Sequence, residues 1–371
     1  MKRKLKMILI IIAIVIGIVV VGTALFLNLS PQFGASKQAI QTSRVLNSPN
    51  FRDGKFVNAE ETVVMTNFKI STLPEYFTNE GKVPDFEIPV EKILPNEISN
   101  FDDSLTRVTW FGHSTILLET AGKTIFIDPM LGMVPAPVSW AGSSRFNPNL
   151  PIDIEALPFI DVVLISHDHY DHLDYGSIMQ LKEKVGKFYV PLGVGAHLRS
   201  WGVAADKISE MDLWDSETFG ELTFISTPSR HFSGRGLFDR SSTLWCSWVI
   251  QTENTNIFFS GDGGYGNHFK KIGDKFGPFD FAMMECGQYN EQWSQIHLLP
   301  EEVPQALSDL QCQVFMPIHW GAFKLALHDW AEPVESLKKA INSDEVTMAT
   351  PKIGEQFIIG ESIPMDEWWK K

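Results

Sequence analysis

Ser166-His167-Asp168-His169-Tyr170-Asp171-His172-Leu173-Asp174 follows the apolar run Val162–Ile165 and holds three of the chain's ten histidines within six residues. His167 and His169 are two positions apart, so an extended backbone projects both rings to the same side. Asp171 and His172 fall where the chain turns toward a helix for which Asp174 is the N-cap, and they present a second pocket beside the first. Imidazoles and carboxylates at a strand end suit zinc or a similar borderline metal. One such patch does not fill two four-coordinate metals, so further ligands are expected downstream. His231 follows a strand over 221–227, Asp262 lies in Ser260-Gly261-Asp262-Gly263-Gly264, and His319 ends a strand over 313–318. Each sits just past the C-terminal end of a strand, the edge where open α/β sheets collect their ligands.

Outward from this motif, short β-branched and aromatic runs predict strands over 107–111, 114–120, 123–128, 161–166, 187–191, 221–227, 244–251, 256–260, 279–285, 313–318 and 346–349. Helices are predicted over 175–185, 193–201, 300–310 and 333–341. Strands come first in succession and then alternate with single helices, which implies an α/β sandwich of two sheets with helices on the outer faces. No internal repeat is visible in this stretch. The catalytic domain is expected over 106–360, after an irregular extension over 61–105 packed on it and before a tail over 361–371. Trp368-Trp369-Lys370-Lys371 in that tail has the composition of an interfacial anchor, but a tail lying on the domain is the commoner outcome for such an end.

The chain has 371 residues, of which 44% are hydrophobic and 20% charged, a balance that excludes disordered, collagen-like and coiled-coil classes. Residues 1–6 form a basic tail with Lys2, Arg3, Lys4 and Lys6, and residues 7–27 are an apolar run. A spanning helix needs about 20 such residues, whereas the apolar region of a cleaved signal has about 7–15. The run fits a transmembrane anchor, with cleavage near Gly34-Ala35-Ser36 as the alternative, and residues 28–60 read as a tether. The basic cluster ahead of the run keeps the N-terminus cytoplasmic and places the catalytic domain on the outer, periplasmic or extracellular, side of the membrane. Net charge is −14; beyond residue 27 there are 27 basic and 45 acidic side chains, a net −18. So acidic a surface repels phosphate backbones, and no nucleic-acid partner is expected. Cys246, Cys286 and Cys312 form no CxxC pair and lie outside the candidate ligand stretches.

The set His-x-His-x-Asp-His, a later His, Gly-Asp and a last His resembles the metallo-β-lactamase-fold hydrolase superfamily. The chain is similar, within it, to the N-acyl-phosphatidylethanolamine-hydrolysing phospholipase D family. That closer match rests on Trp110-Phe111-Gly112-His113-Ser114-Thr115, Ile127-Asp128-Pro129, Ser139-Trp140-Ala141-Gly142 with Arg145-Phe146, His297 before Pro300-Glu301-Glu302, and His319-Trp320-Gly321-Ala322-Phe323. The resemblance implies an αββα sandwich and two zinc ions per chain, one on His167, His169 and His231, the other on Asp171, His172 and His319, with Asp262 bridging. It implies cleavage of a phosphodiester by metal-activated water, with N-acylethanolamine and phosphatidic acid as products of a phospholipid substrate. Asp171 and Asp262 would hold the metals and take the water's proton. His297 would meet the scissile phosphate, or else cap the helix near Pro300. Asp128 and His113 are candidates to orient ligand imidazoles, His113 being equally a satisfied core histidine. Trp140 and Arg145 join His297 as substrate-binding candidates. Residues 129–150, rich in Pro and Met, offer a greasy rim, a packed loop or the contact of a homodimer. A lactonase or another small-molecule hydrolase of the same fold is the enzymatic alternative, and a catalytically inactive metal-binding ectodomain the non-enzymatic one.

Overall fold

A computed structural model describes residues 2–66, 74–75, 78–99, 101–140 and 142–370. Helix α1 (Lys2–Leu29) is long and apolar enough to cross a membrane, and its residues 3–26 are exposed. Beyond it come α2 (Lys37–Ile40), α3 (Ser43–Leu46) and a hairpin of β1 (Phe51–Arg52) and β2 (Lys55–Phe56). This segment is docked rather than a tether. Ile40, Val45 and Phe56 are spaced through polar sequence and each is buried against the domain, a gain of about 1.5–3 kcal/mol per large apolar side chain. The described residues of the extension before the domain include α4 (Pro95–Ser99) and a parallel bridge from Val90 to Ile353; 67–73, 76–77 and 100 lie outside them. It packs on the domain through Ile88, Ile93 and Ile98, all buried.

The first seven-stranded sheet contains β3 (Thr106–Trp110), β4 (Ile116–Thr120), β5 (Lys123–Ile127), β6 (Ile160–Leu164), β7 (Val185–Pro191), β8 (Ile208–Met211) and the late strand β16 (Gln356–Ile358), in the order β16-β3-β4-β5-β6-β7-β8. The second contains β9 (Ser216–Phe219), β10 (Leu222–Thr227), β11 (Ser247–Gln251), β12 (Asn256–Phe259), β13 (Phe281–Glu285), β14 (Val314–Ile318) and β15 (Thr347–Met348), in the order β15-β14-β13-β12-β11-β10-β9. Both sheets have one design: three antiparallel pairings, then three parallel ones. The parallel steps carry helices: α5 (Tyr175–Leu181) and α6 (Val194–Ser200) on the first sheet, α7 (His268–Phe276), α8 (Val303–Leu310) and α9 (Glu332–Ala340) on the second. The repeated architecture is invisible in the residues themselves.

Period-two alternation sorts the first sheet's side chains. Ile116, Leu118, Ile125, Ile127, Val162 and Leu164 enter the core shared with the second sheet. Leu117, Phe126, Val163 and Ile165 face the other way, against α5 and α6. Of the two readings of the tail, an interfacial anchor or a segment lying on the domain, the structure shows the second. Trp368 and Trp369 are buried, and the Trp368 ring stacks 5.2 Å from that of Trp320. Indole area buried against other indoles outweighs exposure of the adjoining lysine.

Candidate metal centre

The two sheets bring the C-terminal ends of β5, β6, β10, β12 and β14 to one edge, and backbone bonds join the sheets there. Cys246 donates its N–H to the Ser166 carbonyl at 3.0 Å, while His113 and His319 are tied by His113 N to Trp320 O at 2.9 Å and His319 N to His113 O at 3.0 Å. Three non-glycine residues of this edge occupy the left-handed region: His113 (φ 56°), Asp128 (φ 41°) and His319 (φ 69°). Such backbone costs about 1–3 kcal/mol per residue and persists where its surroundings dictate it.

All seven expected ligand residues converge. In one half, His169 Nδ1 lies 2.9 Å from His167 Nε2 and 3.2 Å from His231 Nε2. In the other half, Asp171, His172 and His319 gather together with His113. Asp262 stands between the halves. Its Oδ2 is 3.2 Å from His172 Nε2, 3.8 Å from His167 Nε2 and 3.9 Å from His231 Nε2, and its Oδ1 is 3.2 Å from His319 Nδ1.

The donor set fits divalent metal. Burial holds His167, His231 and His319 well below the usual imidazole range, and His169 below it, so these rings offer neutral lone pairs, the form a metal requires. Burial also pulls His172 down, but Asp262, Asp171 and Asp128 outweigh it and hold the ring well above its ordinary value. Burial would raise Asp171, yet His172, His113 and His319 keep it well below the carboxylate range. His172 Nε2 and Asp262 Oδ1 are buried without a hydrogen-bond partner. Orphaned buried donors and acceptors are costly, and a cation between them removes that cost. The thiols stay out: burial pushes Cys246 and Cys286 up, away from thiolate.

The supporting residues are equally specific. Asp128 Oδ2 lies 2.7 Å from His172 Nδ1, and its two oxygens accept from Ser166 N at 2.7 Å and Ser166 Oγ at 2.5 Å. That leaves the far nitrogen of His172 aimed at the cluster, as ligand imidazoles need. His113 Nε2 lies 3.0 Å from Asp171 Oδ2, so it bears on the cluster through that carboxylate. His297 does not cap the following helix; Glu302 does, accepting from Leu299 N at 3.0 Å. Instead the Nδ1 of half-buried His297 bonds Glu285, and its ring lies 5.1 Å from that of His231 and 5.4 Å from that of His319.

Two substrate-binding expectations fall outside this cluster. Arg145 is buried and donates to the carbonyls of Gly132, Phe111 and Met130, with its guanidinium over the Phe323 ring. It staples the 129–150 loop, because a buried guanidinium has to spend its donors on nearby carbonyls. Trp140 is 84% exposed and lines a cavity of about 470 Å³ with Gln32, Met133, Val134, Pro137 and Tyr175, which contains no ligand residue. Asp168, Glu285 and Arg235 were not singled out in the sequence. Asp168 accepts from Gly234 N and Thr243 Oγ1, both at 2.7 Å. Arg235 donates to the carbonyls of Asp168 (2.6 Å) and Leu173 (2.7 Å), bracketing the histidine loop. Only the position of Asp168 between two ligands signalled it.

Fold and centre together define a metallo-hydrolase of the β-lactamase type. Residues 123–320 match the model of the beta-lactamase superfamily domain. An uncharacterised protein of Mycobacterium tuberculosis is 41% identical over 331 residues, covering 87% of this chain and 88% of that one. The N-acyl-phosphatidylethanolamine-hydrolyzing phospholipase D 1 of Caenorhabditis elegans is 32% identical over 288 residues, covering 74% of this chain and 80% of the relative. An isothiocyanate hydrolase from Delia radicum gut bacteria shares the fold, with a TM-score of 0.53 at 24% identity over 68% of this chain and 98% of that one. The chain belongs to the metallo-β-lactamase superfamily, in the group related to the N-acyl-phosphatidylethanolamine-hydrolysing phospholipases D.

Proposed function

We propose that the chain is a di-zinc phosphodiesterase acting on N-acylated phosphatidylethanolamine, releasing N-acylethanolamine and phosphatidic acid at a membrane that α1 anchors it to. The observation that carries this reading is the pair of nitrogen-and-oxygen ligand clusters meeting on Asp262 with no thiolate, together with the phospholipase D relative. The ligand set is of the type that zinc takes. When bound, the two cations supply an acidified water and offset the charge that grows on the phosphoryl oxygens.

The chain's own residues do the rest. Asp262 sits between the two halves, and it and Asp171 are the carboxylates that would hold the cations and take the proton of the attacking water. Burial pushes Glu285 up to about 7, against the pull of His297. Burial alone would lower His297, but the Glu285 charge outweighs it and raises the ring. The pair therefore retains a proton near neutrality. With Nδ1 committed to Glu285, His297 Nε2 is the atom that hands a proton to the departing alkoxide oxygen. The basic residues in the first turns of α1, Lys2, Arg3, Lys4 and Lys6, orient the anchor with its N-terminus in the cytoplasm and the centre on the outer side. The test is zinc quantitation followed by product mass on a panel of N-acylated phospholipids, simple diesters and lactones. Phosphatidic acid with N-acylethanolamine supports the reading; turnover of lactones alone overturns it.

A further inference from the structure

The segment that leaves α1 is bonded to the back of the histidine loop. Pro31 O accepts from Trp201 Nε1 at 2.7 Å and Gln32 O from Arg235 Nε at 2.9 Å, while Ala35 N donates to His197 Nδ1 at 2.9 Å. Gly34 has φ 74°, and a Cβ there would meet His197 Nδ1 at 2.1 Å, so this close approach requires glycine. His197 is fully buried. A neutral imidazole has one acceptor nitrogen and one donor. The Ala35 N–H makes Nδ1 the acceptor, which leaves Nε2–H to donate to Asp168 Oδ2, 3.2 Å away. Asp168 lies between His167 and His169, and Arg235, which holds Gln32, also holds the Asp168 and Leu173 carbonyls.

We infer that Pro31–Ala35 is a strap that, through His197 and Arg235, sets the histidine loop and so positions His167 and His169 for metal. His197 is a positioning residue, acting on the centre through Asp168. The anchor and the metal centre are then parts of one mechanical unit: the chain that leaves the membrane helix fixes the tautomer of the ring that holds the loop. This rests on the di-metal reading of the centre, but not on the identity of the substrate.

The test is zinc titration of the full-length protein in detergent micelles against a chromophoric chelator, with no substrate present. Gly34→Val pushes a Cβ onto His197 and displaces the strap, while every ligand side chain of the centre is kept. It is expected to weaken one of two zinc equivalents about ten- to a hundredfold, the range for residues that orient metal ligands, and to leave the other unchanged. His197→Ala is expected to do the same. His197→Gln, whose amide can donate to Asp168, recovers most of the loss. Near-UV circular dichroism checks that each variant is folded, and Gly34→Val decides the matter if His197→Ala is not. Wild-type affinity at both equivalents in folded Gly34→Val overturns the strap, as does equal weakening of both. So does a loss in His197→Gln as large as in His197→Ala, since the ring would then only fill space. Turnover of the phospholipid panel is scored separately, so failure of the substrate reading leaves this result standing.

Discussion

The two halves of the candidate metal centre are built from different chemistry. His167, His169 and His231 form an all-imidazole half whose rings burial keeps unprotonated. Asp171, His172 and His319 form a mixed half, where His172 is pinned among three carboxylates and raised by them. The first half is poised to take a cation directly. The second must release a proton from His172 before all of its nitrogens can bind. Asp262, which touches both, is what makes them one centre.

Replacing that bridge has the largest expected effect. Asp262→Ala leaves His172 and His319 without their shared carboxylate, so diester turnover should fall to background and zinc content below two per chain. Two retained equivalents in this variant would break the idea that the halves are coupled. Acidification should separate the halves next. His172 is raised, so the mixed half binds more tightly as pH rises through that elevated pKa and loses metal first as pH falls. The imidazole half, with its rings lowered, is already unprotonated above about pH 6.5 and should hold zinc to lower pH. Chelator-monitored zinc release against pH should therefore show two steps, with one concerted step counting against the comparison.

Smaller changes sharpen it. Asp128→Asn weakens the acceptor for His172 Nδ1 and should cost about ten- to a hundredfold in affinity at the mixed half alone, read by zinc titration. Ser166→Ala removes the hydroxyl that lies 2.5 Å from Asp128 Oδ2 and 2.9 Å from His167 Nδ1. It touches both halves, and its expected effect is a loss of about 1.5–3 kcal/mol in stability, measured by denaturant unfolding of the zinc-free protein.

The halves were equally legible in the sequence, each with two candidate ligands in the histidine motif and one further downstream. His167, His169, Asp171 and His172 are written in one nonapeptide, and the strands around them show as β-branched runs because both their faces are buried. Strand β8 (Ile-Ser-Glu-Met) and strand β9 (Ser-Glu-Thr-Phe) were missed because each is an edge strand with polar, partly exposed side chains. Helix α7 was missed because two glycyl ends and a run of charges hide its single apolar stripe of Phe269 and Ile272. Pairs such as Asp168 with Thr243, or Asp171 with His113, are separated by 75 and 58 residues and meet only when the sheets close. The docking of Ile40, Val45 and Phe56 was hidden for a related reason: isolated apolar residues in polar sequence carry no period.

Anomalous scattering from crystals of the zinc-loaded protein bears on the account most directly. It predicts two peaks about 3.5–4 Å apart, one against His167, His169 and His231, the other against Asp171, His172 and His319, with the Asp262 carboxylate touching both. One peak only, or zinc held away from these side chains, would contradict it.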